Sequence, residues 1–164
     1  MTNRVAHVVL TLCPGGTERL VEKMIRTPTG GVRPLAICLD EKGLIGKGLE
    51  YDGFHVSSLG RRPGFDFRIP FSLSRAAKKS GATILHCHQY TPWFYGVLAK
   101  LFYPSLKIIV TEHGRFYPDL PSKKRQFFNR IFHHLTNRIV AVSPAVHEAL
   151  VQVDAFPADR VEVV

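Results

Sequence analysis

Short apolar runs rich in Val, Ile and Leu recur along this chain, and segments of helical periodicity separate them. The runs lie at 5–12, 33–39, 55–59, 83–87, 107–111, 138–142 and 161–164. Buried strands that alternate with helices are typical of a parallel sheet with helices on its faces. This alternation restricts the fold more than any other feature. It predicts an α/β domain with a parallel sheet and helices on both faces.

The segments between the runs carry ordinary helix signals. Helices are predicted at 18–26, from Ile69 to a stop at Gly81, from Thr91 as N-cap, from Ser122 to Leu135 and from Ser143 to Val151, with a shorter one within 44–51. Right-handed crossovers bring the loops that follow parallel strands to the carboxyl edge of the sheet. We therefore expect any site to lie at that edge.

The length of 164 residues matches one compact domain. A chain of this size buries roughly 70% of the surface that its unfolded form exposes, so its core needs no disulfide. The last apolar run, 161–164, reaches the chain end without a turn, a cap or a polar tail. Because natural domains seldom end on an unprotected strand, we expect a chain cut from a longer protein.

The formal net charge is +9, with eight further histidines. Such a surface attracts nucleotide phosphates, lipid phosphates, an anionic membrane or nucleic acid. The strongest basic cluster consists of Lys123, Lys124, Arg125 and Arg130. The same helix has an apolar stripe: Phe127, Phe128, Ile131, Phe132 and Leu135. The pattern indicates either a core helix with solvated charges or peripheral contact with a membrane. No recognised nucleic-acid motif occurs, so nucleic acid is not an expected partner.

The three cysteines, Cys13, Cys38 and Cys87, lie in separate apolar segments, and an odd number does not form a disulfide framework. The first apolar run continues into Pro14 and Gly15 without a signal-peptide cleavage site. No run approaches the ~20 apolar residues of a membrane span. These features predict a cytoplasmic protein, with the basic helix available for contact at the inner face of the membrane.

Gly15 and Gly16 lie between the first run and the first helix. Glycine lets the backbone approach a ligand closely, and the first amides of a helix bind phosphate or another anion. The pattern matches neither the dinucleotide fingerprint nor the phosphate-binding loop of nucleoside triphosphatases. Gly15 and Gly16 are therefore candidate anion ligands, with a tight turn as the simpler interpretation.

Polar residues end the fourth and fifth runs, where His86 and His88 share one strand face and Glu112 and His113 follow the next strand. His113 can donate a hydrogen bond or carry charge near neutral pH, so it is the candidate catalytic residue. Three imidazoles, those of His86, His88 and His113, are able to hold zinc, but no C-x-x-C or H-E-x-x-H motif supports a metal. The sequence therefore predicts no metal and no cofactor. The candidates for binding an acceptor or sugar are His86, His88, Glu112, Arg115 and Ser143.

Two other classes of function remain open at this point. A non-catalytic α/β module is able to use its basic surface to bind an anionic partner. A hydrolase would need Ser143 or a cysteine as its nucleophile, but no G-x-S-x-G elbow occurs and the cysteines lie in apolar surroundings.

Four segments in order resemble the group 4 retaining glycosyltransferases of the GT-B fold, over essentially the whole chain. The segments are Gly15–Leu20, Ile84–His88, Thr111–Gly114 and Val140–Ser143. In that family two Rossmann-like domains face each other across a cleft; the first mainly holds the acceptor and the second the sugar nucleotide. The resemblance implies that residues 1–164 form the Rossmann-like, acceptor-side N-terminal domain and that the donor-binding C-terminal domain is absent.

The resemblance also implies the reaction. A sugar would pass from a nucleoside-diphosphate sugar to a hydroxyl of a glycan or lipid-linked acceptor, with retention, in glycan or polysaccharide biosynthesis. The amides of Gly15 and Gly16 would approach the donor diphosphate, and His113 would lie against the transferred sugar. The family usually has an acidic residue where this chain has Thr83. Without the second domain we expect the isolated chain to fold and to be inactive.

Overall fold

The computed structural model of the chain describes residues 4–114 and 120–164. The strands are β1 (Arg4–Val9), β2 (Arg33–Cys38), β3 (Val56–Ser58), β4 (Ile84–His88), β5 (Lys107–Glu112), β6 (Arg138–Ala141) and β7 (Val161–Val163). The helices are α1 (Gly16–Arg26), α2 (Gly43–Tyr51), α3 (Arg68–Ser80), α4 (Tyr90–Ala99), α5 (Lys123–Phe132) and α6 (Pro144–Gln152). Short 3₁₀ turns follow α5 and precede β7.

All strand pairs of the sheet are parallel, in the order β3-β2-β1-β4-β5-β6-β7. The chain builds the sheet outward from β1 to β3, then returns to the other side of β1 and continues from β4 to β7. The carboxyl ends of β1 and β4 therefore mark the point where the order of strands reverses. In open α/β sheets this point is where ligands bind.

The helices cover both faces of the sheet, which confirms the predicted Rossmann-like α/β fold. On one face, Val21 and Ile25 of α1 and Leu49 of α2 are buried in one apolar cluster. On the other face, helices α3 to α6 contribute to a larger cluster in which Trp93 and Phe132 are buried. Burial of these side chains, at roughly 1.5–3 kcal/mol for each large one, stabilises the layered arrangement.

The segment between β1 and α1 leaves the sheet earlier than the sequence predicts. β1 ends at Val9 because the chain then turns to contact α2, where the amide of Ile45 donates to the carbonyl of Leu12 at 3.0 Å. Gly43 makes this approach possible: its φ is +60°, and an added Cβ would lie 2.4 Å from the amide nitrogen of Cys13. Helix α2 thus fixes the loop that leads to Gly15 and Gly16.

The start of α4 also differs from the prediction, because Gln89 rather than Thr91 is its N-cap. The strand before it extends to His88, and Gln89 makes the whole connection as a single residue at φ 72°, ψ 174°. A left-handed φ at a residue other than glycine costs of order 1–3 kcal/mol. Its amide donates to the carbonyl of Thr111 at 2.9 Å, which helps hold this conformation.

The apolar stripe predicted for α5 is divided between the core and the surface. Phe132 is buried and Phe128 partly so, whereas Phe127, Ile131 and Leu135 are 60%, 47% and 39% exposed. The reason is that Asn129, wholly buried, turns toward the core and donates through Nδ2 to the carbonyl of Asp154 at 2.8 Å. Of the two interpretations of the stripe, the core helix therefore holds for Phe128 and Phe132 and is wrong for the other three side chains.

Across residues 4–114 and 120–164, no helix has both the length and the apolar character that crossing a bilayer requires.

Candidate active site

The site begins at the first turn of α1, beside the point where the strand order reverses. Gly15 is the N-cap and Gly16 the first residue of the helix, and no side chain caps this end. A Cβ added at Gly16 would meet no atom of residues 4–114 or 120–164 within 4 Å, so these residues leave space beside the amide end of the helix. At Gly15 an added Cβ would meet the carboxylate of Glu18. An anion is able to reach this terminus, where exposed amides favour negative charge.

Three imidazoles form a hydrogen-bonded chain that runs inward from the carboxyl edge. The Nε2 atom of His113, just after β5, lies 2.8 Å from Nδ1 of His88. The Nε2 atom of His88 lies in turn 3.0 Å from Nδ1 of His7 in β1. A neutral imidazole has one N–H and one lone pair, so each ring in the chain fixes which nitrogen of its neighbour carries hydrogen.

Burial keeps these imidazoles neutral. It lowers the pKa of His7 to about 4 and that of His86 to about 3, the latter with smaller contributions from His7 and His113. It also lowers the pKa of His88 well below the ordinary value and shifts that of His113 in the same direction. Of the two roles that the sequence allows for His113, donating a hydrogen bond or carrying charge, these surroundings favour the neutral, hydrogen-bonding one at pH 7.

His86 and His88 share a strand face, as predicted, with ring centroids 4.3 Å apart. Neither lies at the open edge. His88 is 1% exposed behind His113, and His86 contacts Oγ1 of Thr111 through Nε2 at 2.8 Å. His86 instead lines a cavity of about 460 Å³ beneath α1, which we call the α1 cavity. Direct contact of either residue with an acceptor stays a prediction; the geometry favours a role in holding His113.

A cavity of about 280 Å³ lies at the edge itself and is called the edge cavity. Its lining includes Leu10, Gln89, Tyr90, Thr91, Glu112, Gly114 and Arg125. Glu112 lies at the end of β5 and is 6% exposed. It lines this cavity together with Gln89, whose backbone is strained. Strained backbone of this kind occurs often at functional sites, because the surrounding structure must hold it in place.

An aromatic cavity of about 360 Å³ adjoins the edge cavity and shares Tyr90, Thr91 and Arg125 with it. The rings of Phe65 and Tyr95 stack with centroids 5.7 Å apart. Across them, Phe94 and Phe128 meet edge to face at 5.6 Å. The other lining residues include Arg61, Gly64, Ser122 and Lys124. The two cavities together join a polar, carboxylate-bearing end to an aromatic end with basic residues.

Arg125 was expected on the outer basic surface, but it lies between the two cavities. Its guanidinium forms an ion pair with Asp154 at 2.5 Å, and the carboxylate is fully buried. It also lies over the ring of Tyr90, 5.6 Å from the centroid. Burial raises the pKa of that tyrosine to about 12, so the hydroxyl stays protonated. Lys123, Lys124 and Arg130 are exposed on α5 as expected.

Four further residues have simpler roles or fall outside the description. The hydroxyl of Ser143 caps α6 by accepting from the amide of Val146 at 3.2 Å. Its role toward an acceptor stays a prediction. Arg115 lies outside the described residues. Cys38 and Cys87 are buried, and burial raises the pKa of the Cys38 thiol to about 12 and shifts that of Cys87 in the same direction, which disfavours thiolate chemistry.

The sequence match decides the family. The model of Glycosyltransferase Family 4 matches residues 7–164. The chain belongs to this family. The match covers nearly all of the domain and includes β4, β5 and the α1 terminus described above. No curated protein matches the sequence.

Solved structures share the fold of this family 4 domain. A glycosyltransferase from Rickettsia africae ESF-5 is 20% identical, with a TM-score of 0.79, and the match covers 100% of this chain and 43% of that one. Anabaena Alr3699/HepE in complex with UDP is 17% identical, with a TM-score of 0.73, over 98% and 43%. A UDP-GlcNAc 2-epimerase from Neisseria meningitidis, bound to UDP-GlcNAc, is 19% identical, with a TM-score of 0.57, over 98% and 45%.

These similarities confirm the GT-B type of domain that the sequence resembles. They show the fold alone, which transferases and an epimerase share. The chain spans less than half the length of each of these structures.

Sequence reasoning missed three residues that shape the candidate site. His7 was hidden in the first apolar run, although a histidine among aliphatic residues is a recognisable signal. Gln89 carries no sequence signal for a positive φ. Gly43 was visible as a glycine, but its role requires knowing that α2 contacts the loop after β1.

Proposed function

We propose that this family 4 domain is the acceptor-side half of a retaining glycosyltransferase in glycan or polysaccharide biosynthesis. The enzyme would move a sugar from a nucleoside-diphosphate sugar to an acceptor hydroxyl. The family match over residues 7–164 carries the proposal. The arrangement of polar groups at the carboxyl edge supports it, because that is where α/β folds bind ligands.

The donor diphosphate is assigned to the first turn of α1. Charge that develops on a leaving diphosphate is stabilised by donors that are already oriented, and the amides after Gly15 are such donors. The open space at Gly16 gives a phosphate room to approach them. The structural neighbour from Anabaena was solved with UDP, which is consistent with a nucleotide-linked donor. The remaining ligands of the nucleotide would come from a second domain.

The transferred sugar is assigned to His113. As a neutral imidazole it donates or accepts one hydrogen bond without adding charge, and His88 behind it fixes which nitrogen carries hydrogen. Glu112 ends the same strand and lines the edge cavity beside it. This pair offers a hydrogen-bonding group and a carboxyl group to sugar hydroxyls.

The acceptor is assigned to the edge cavity and the adjoining aromatic cavity. Carboxylate and backbone groups suit hydroxyls, whereas aromatic rings suit a sugar face or an apolar chain. Lys124 and Arg125 add positive charge where the two cavities meet. A glycan or a lipid-linked acceptor, with a phosphate near its reactive end, fits this combination.

The exposed part of α5 supports peripheral contact with an anionic membrane, on the cytoplasmic side. Phe127 and Ile131 are exposed one turn apart, and Lys123 and Arg130 are exposed on the same helix. Apolar side chains beside basic ones fit the boundary between acyl chains and anionic headgroups. We define Lys123, Lys124, Phe127, Arg130 and Ile131 as the α5 surface.

The substitution Gly16→Val tests the donor assignment in the complete product of the reading frame that carries this chain. A valine side chain would occupy the space through which the diphosphate approaches. We expect the KM for the sugar nucleotide to rise at least about tenfold. This factor corresponds to the free energy of roughly one charge-assisted hydrogen bond. The acceptor KM should change little.

The matched control is Gly48→Val, since Gly48 is also a helical glycine with nothing within 4 Å of an added Cβ. Both variants should fold. Unchanged donor kinetics in folded Gly16→Val would leave Gly16 as a turn residue only.

The 164-residue chain alone should show no transfer and only feeble sugar-nucleotide affinity by calorimetry, because one face of a cleft leaves most of the ligand in water. Turnover by this chain alone would overturn the half-enzyme proposal, and no transfer by the complete product with any UDP- or GDP-sugar would overturn the reaction.

A further inference from the structure

His7, His86 and His88 lie together on the α1 side of the sheet. His7 and His86 face each other in the register of β1 and β4, and His88 follows two residues later on the same strand. One ligand nitrogen from each ring lies within 4.8 Å of the other two. His7 and His88 are 5% and 1% exposed. Two adjacent central strands thus hold three imidazoles in a fixed and largely dry arrangement.

Two rings of the cluster use one nitrogen each for a contact outside it. His88 uses Nδ1 toward His113, and His86 uses Nε2 toward Thr111. The other nitrogens are Nε2 of His88 and Nδ1 of His86. Nε2 of His88 shares a hydrogen bond with Nδ1 of His7 at 3.0 Å, which a shared ion would replace. Two imidazoles on one tetrahedral zinc ion, at 2.0–2.1 Å each, have their nitrogens about 3.3 Å apart. The separation of His7 and His88 is already close to that value.

We propose that His7, His86 and His88 bind one divalent transition-metal ion of the zinc class. Two of the three rings have the outer contact that such ligands need, an acceptor for the N–H that does not face the ion. Thr111 Oγ1 accepts from His86, and His113 Nε2 accepts from His88. Metal binding would therefore also select the form of His113 that carries hydrogen on Nδ1.

The chemistry of the ligand set decides the class of ion. Three imidazoles without a carboxylate or thiolate suit Zn²⁺, Co²⁺ or Ni²⁺, whereas Mg²⁺ and Ca²⁺ require oxygen ligands. The α1 cavity, about 460 Å³, touches His7 and His86 and offers an access path and room for water as a fourth ligand.

This site differs from the one that the sequence considered and rejected. There, His113 was the third imidazole, and no spacing motif supported a metal. In the folded chain the third imidazole is that of His7 instead of His113, because β1 lies next to β4 in the sheet. His113 becomes an outer partner. The proposal is independent of the sugar-transfer function, since it concerns only this chain and an ion.

Zinc titration of the chelator-stripped chain tests the proposal. Calorimetry should show one Zn²⁺ per chain, and Mg²⁺ should not compete. In His7→Gln the affinity should fall more than about 100-fold, beyond what the loss of an outer partner costs. The control is His134→Gln, which removes the ring of an exposed histidine, 3.8 Å between centroids from the buried His133. The affinity should not change in this control.

X-ray absorption on the zinc-loaded wild-type chain should show three imidazole nitrogens at about 2.0–2.1 Å. This measurement does not depend on whether His7→Gln folds, which circular dichroism checks. Absence of zinc binding by the wild type, full affinity in a folded His7→Gln, or sulfur in the coordination shell would each overturn the proposal.

Discussion

At the scale of single residues, the surroundings of His113 decide its protonation state, which its being a histidine leaves open. A histidine at a strand end is able to act as a cation or as a neutral group, and burial selects the neutral form here. Its Nε2 atom is committed to His88 at 2.8 Å, which leaves Nδ1 for a ligand. Under the proposed function, a group held in this way would bind a sugar hydroxyl without reorganising, and preorganised groups contribute most to catalysis.

We expect His113→Ala to lower kcat in the complete enzyme by about 100-fold, the effect of removing one oriented hydrogen-bonding group. The free energy of unfolding should fall by only about 1 kcal/mol, because the ring is half-buried and makes one hydrogen bond. Steady-state kinetics and urea unfolding measure the two effects. His55→Ala, at an exposed histidine, is the control. Near-normal turnover in His113→Ala would remove His113 from the mechanism.

At the scale of elements, α5 shows how one helix serves two surfaces. Its inner side packs Phe132 against Trp93, with centroids 6.1 Å apart, and Asn129 bonds to the backbone at Asp154. Its outer side is the α5 surface. A helix buried by only a narrow stripe is free to carry apolar side chains outward, where they serve binding rather than folding.

Replacing two charges of the α5 surface tests its contact with a membrane. The double variant Lys123→Gln, Lys124→Gln should lower affinity for anionic vesicles at low salt by roughly 30-fold, since each basic residue near such a surface contributes about 1 kcal/mol. Co-sedimentation measures this. Arg75→Gln, Lys79→Gln makes the same charge change on exposed positions of α3 and should have little effect. Equal binding of the wild type to anionic and neutral vesicles would exclude the membrane proposal.

At the scale of the whole molecule, the buried histidines link stability to pH. The ordinary histidine pKa of 6.5 falls to about 4 at His7 and about 3 at His86 on folding. Between these values the unfolded chain binds more protons than the folded one, so acid favours unfolding. Above pH 6.5 both histidines are mainly neutral in the unfolded chain as well as in the folded one, so their titration costs no stability there. Stability is lost as the pH falls from 6.5 toward the folded values.

Each of these two histidines should therefore lower the free energy of unfolding by about 2 kcal/mol between pH 7 and pH 5, or about 4 kcal/mol together. Urea unfolding in the presence of a chelator measures the loss. Burial also lowers the pKa of His88, which adds to the loss in the same direction, so His7→Gln should remove only part of the pH dependence, whatever it does to stability at pH 7. The exposed His55 provides the control through His55→Gln. A stability that does not change from pH 7 to pH 5 would contradict the assignment of neutral, buried rings.

The sequence by itself determined the layered architecture and the edge that carries the site. The strand runs and helix stripes are local patterns, and each is set by which side chains avoid water. Gly15, Gly16, Glu112 and His113 could be assigned to the carboxyl edge because parallel strands with helical crossovers place every following loop there. The order of four short segments then sufficed for the family resemblance.

Only the tertiary structure decided which residues meet. His7 lies 81 residues from His88 in the chain, and their contact follows from the placement of β1 beside β4, which no local pattern records. The same applies to α5, where Asn129 rather than Phe127 faces inward because its amide finds a backbone carbonyl there. The protonation of His113 depends on burial, which exists only after the elements have packed.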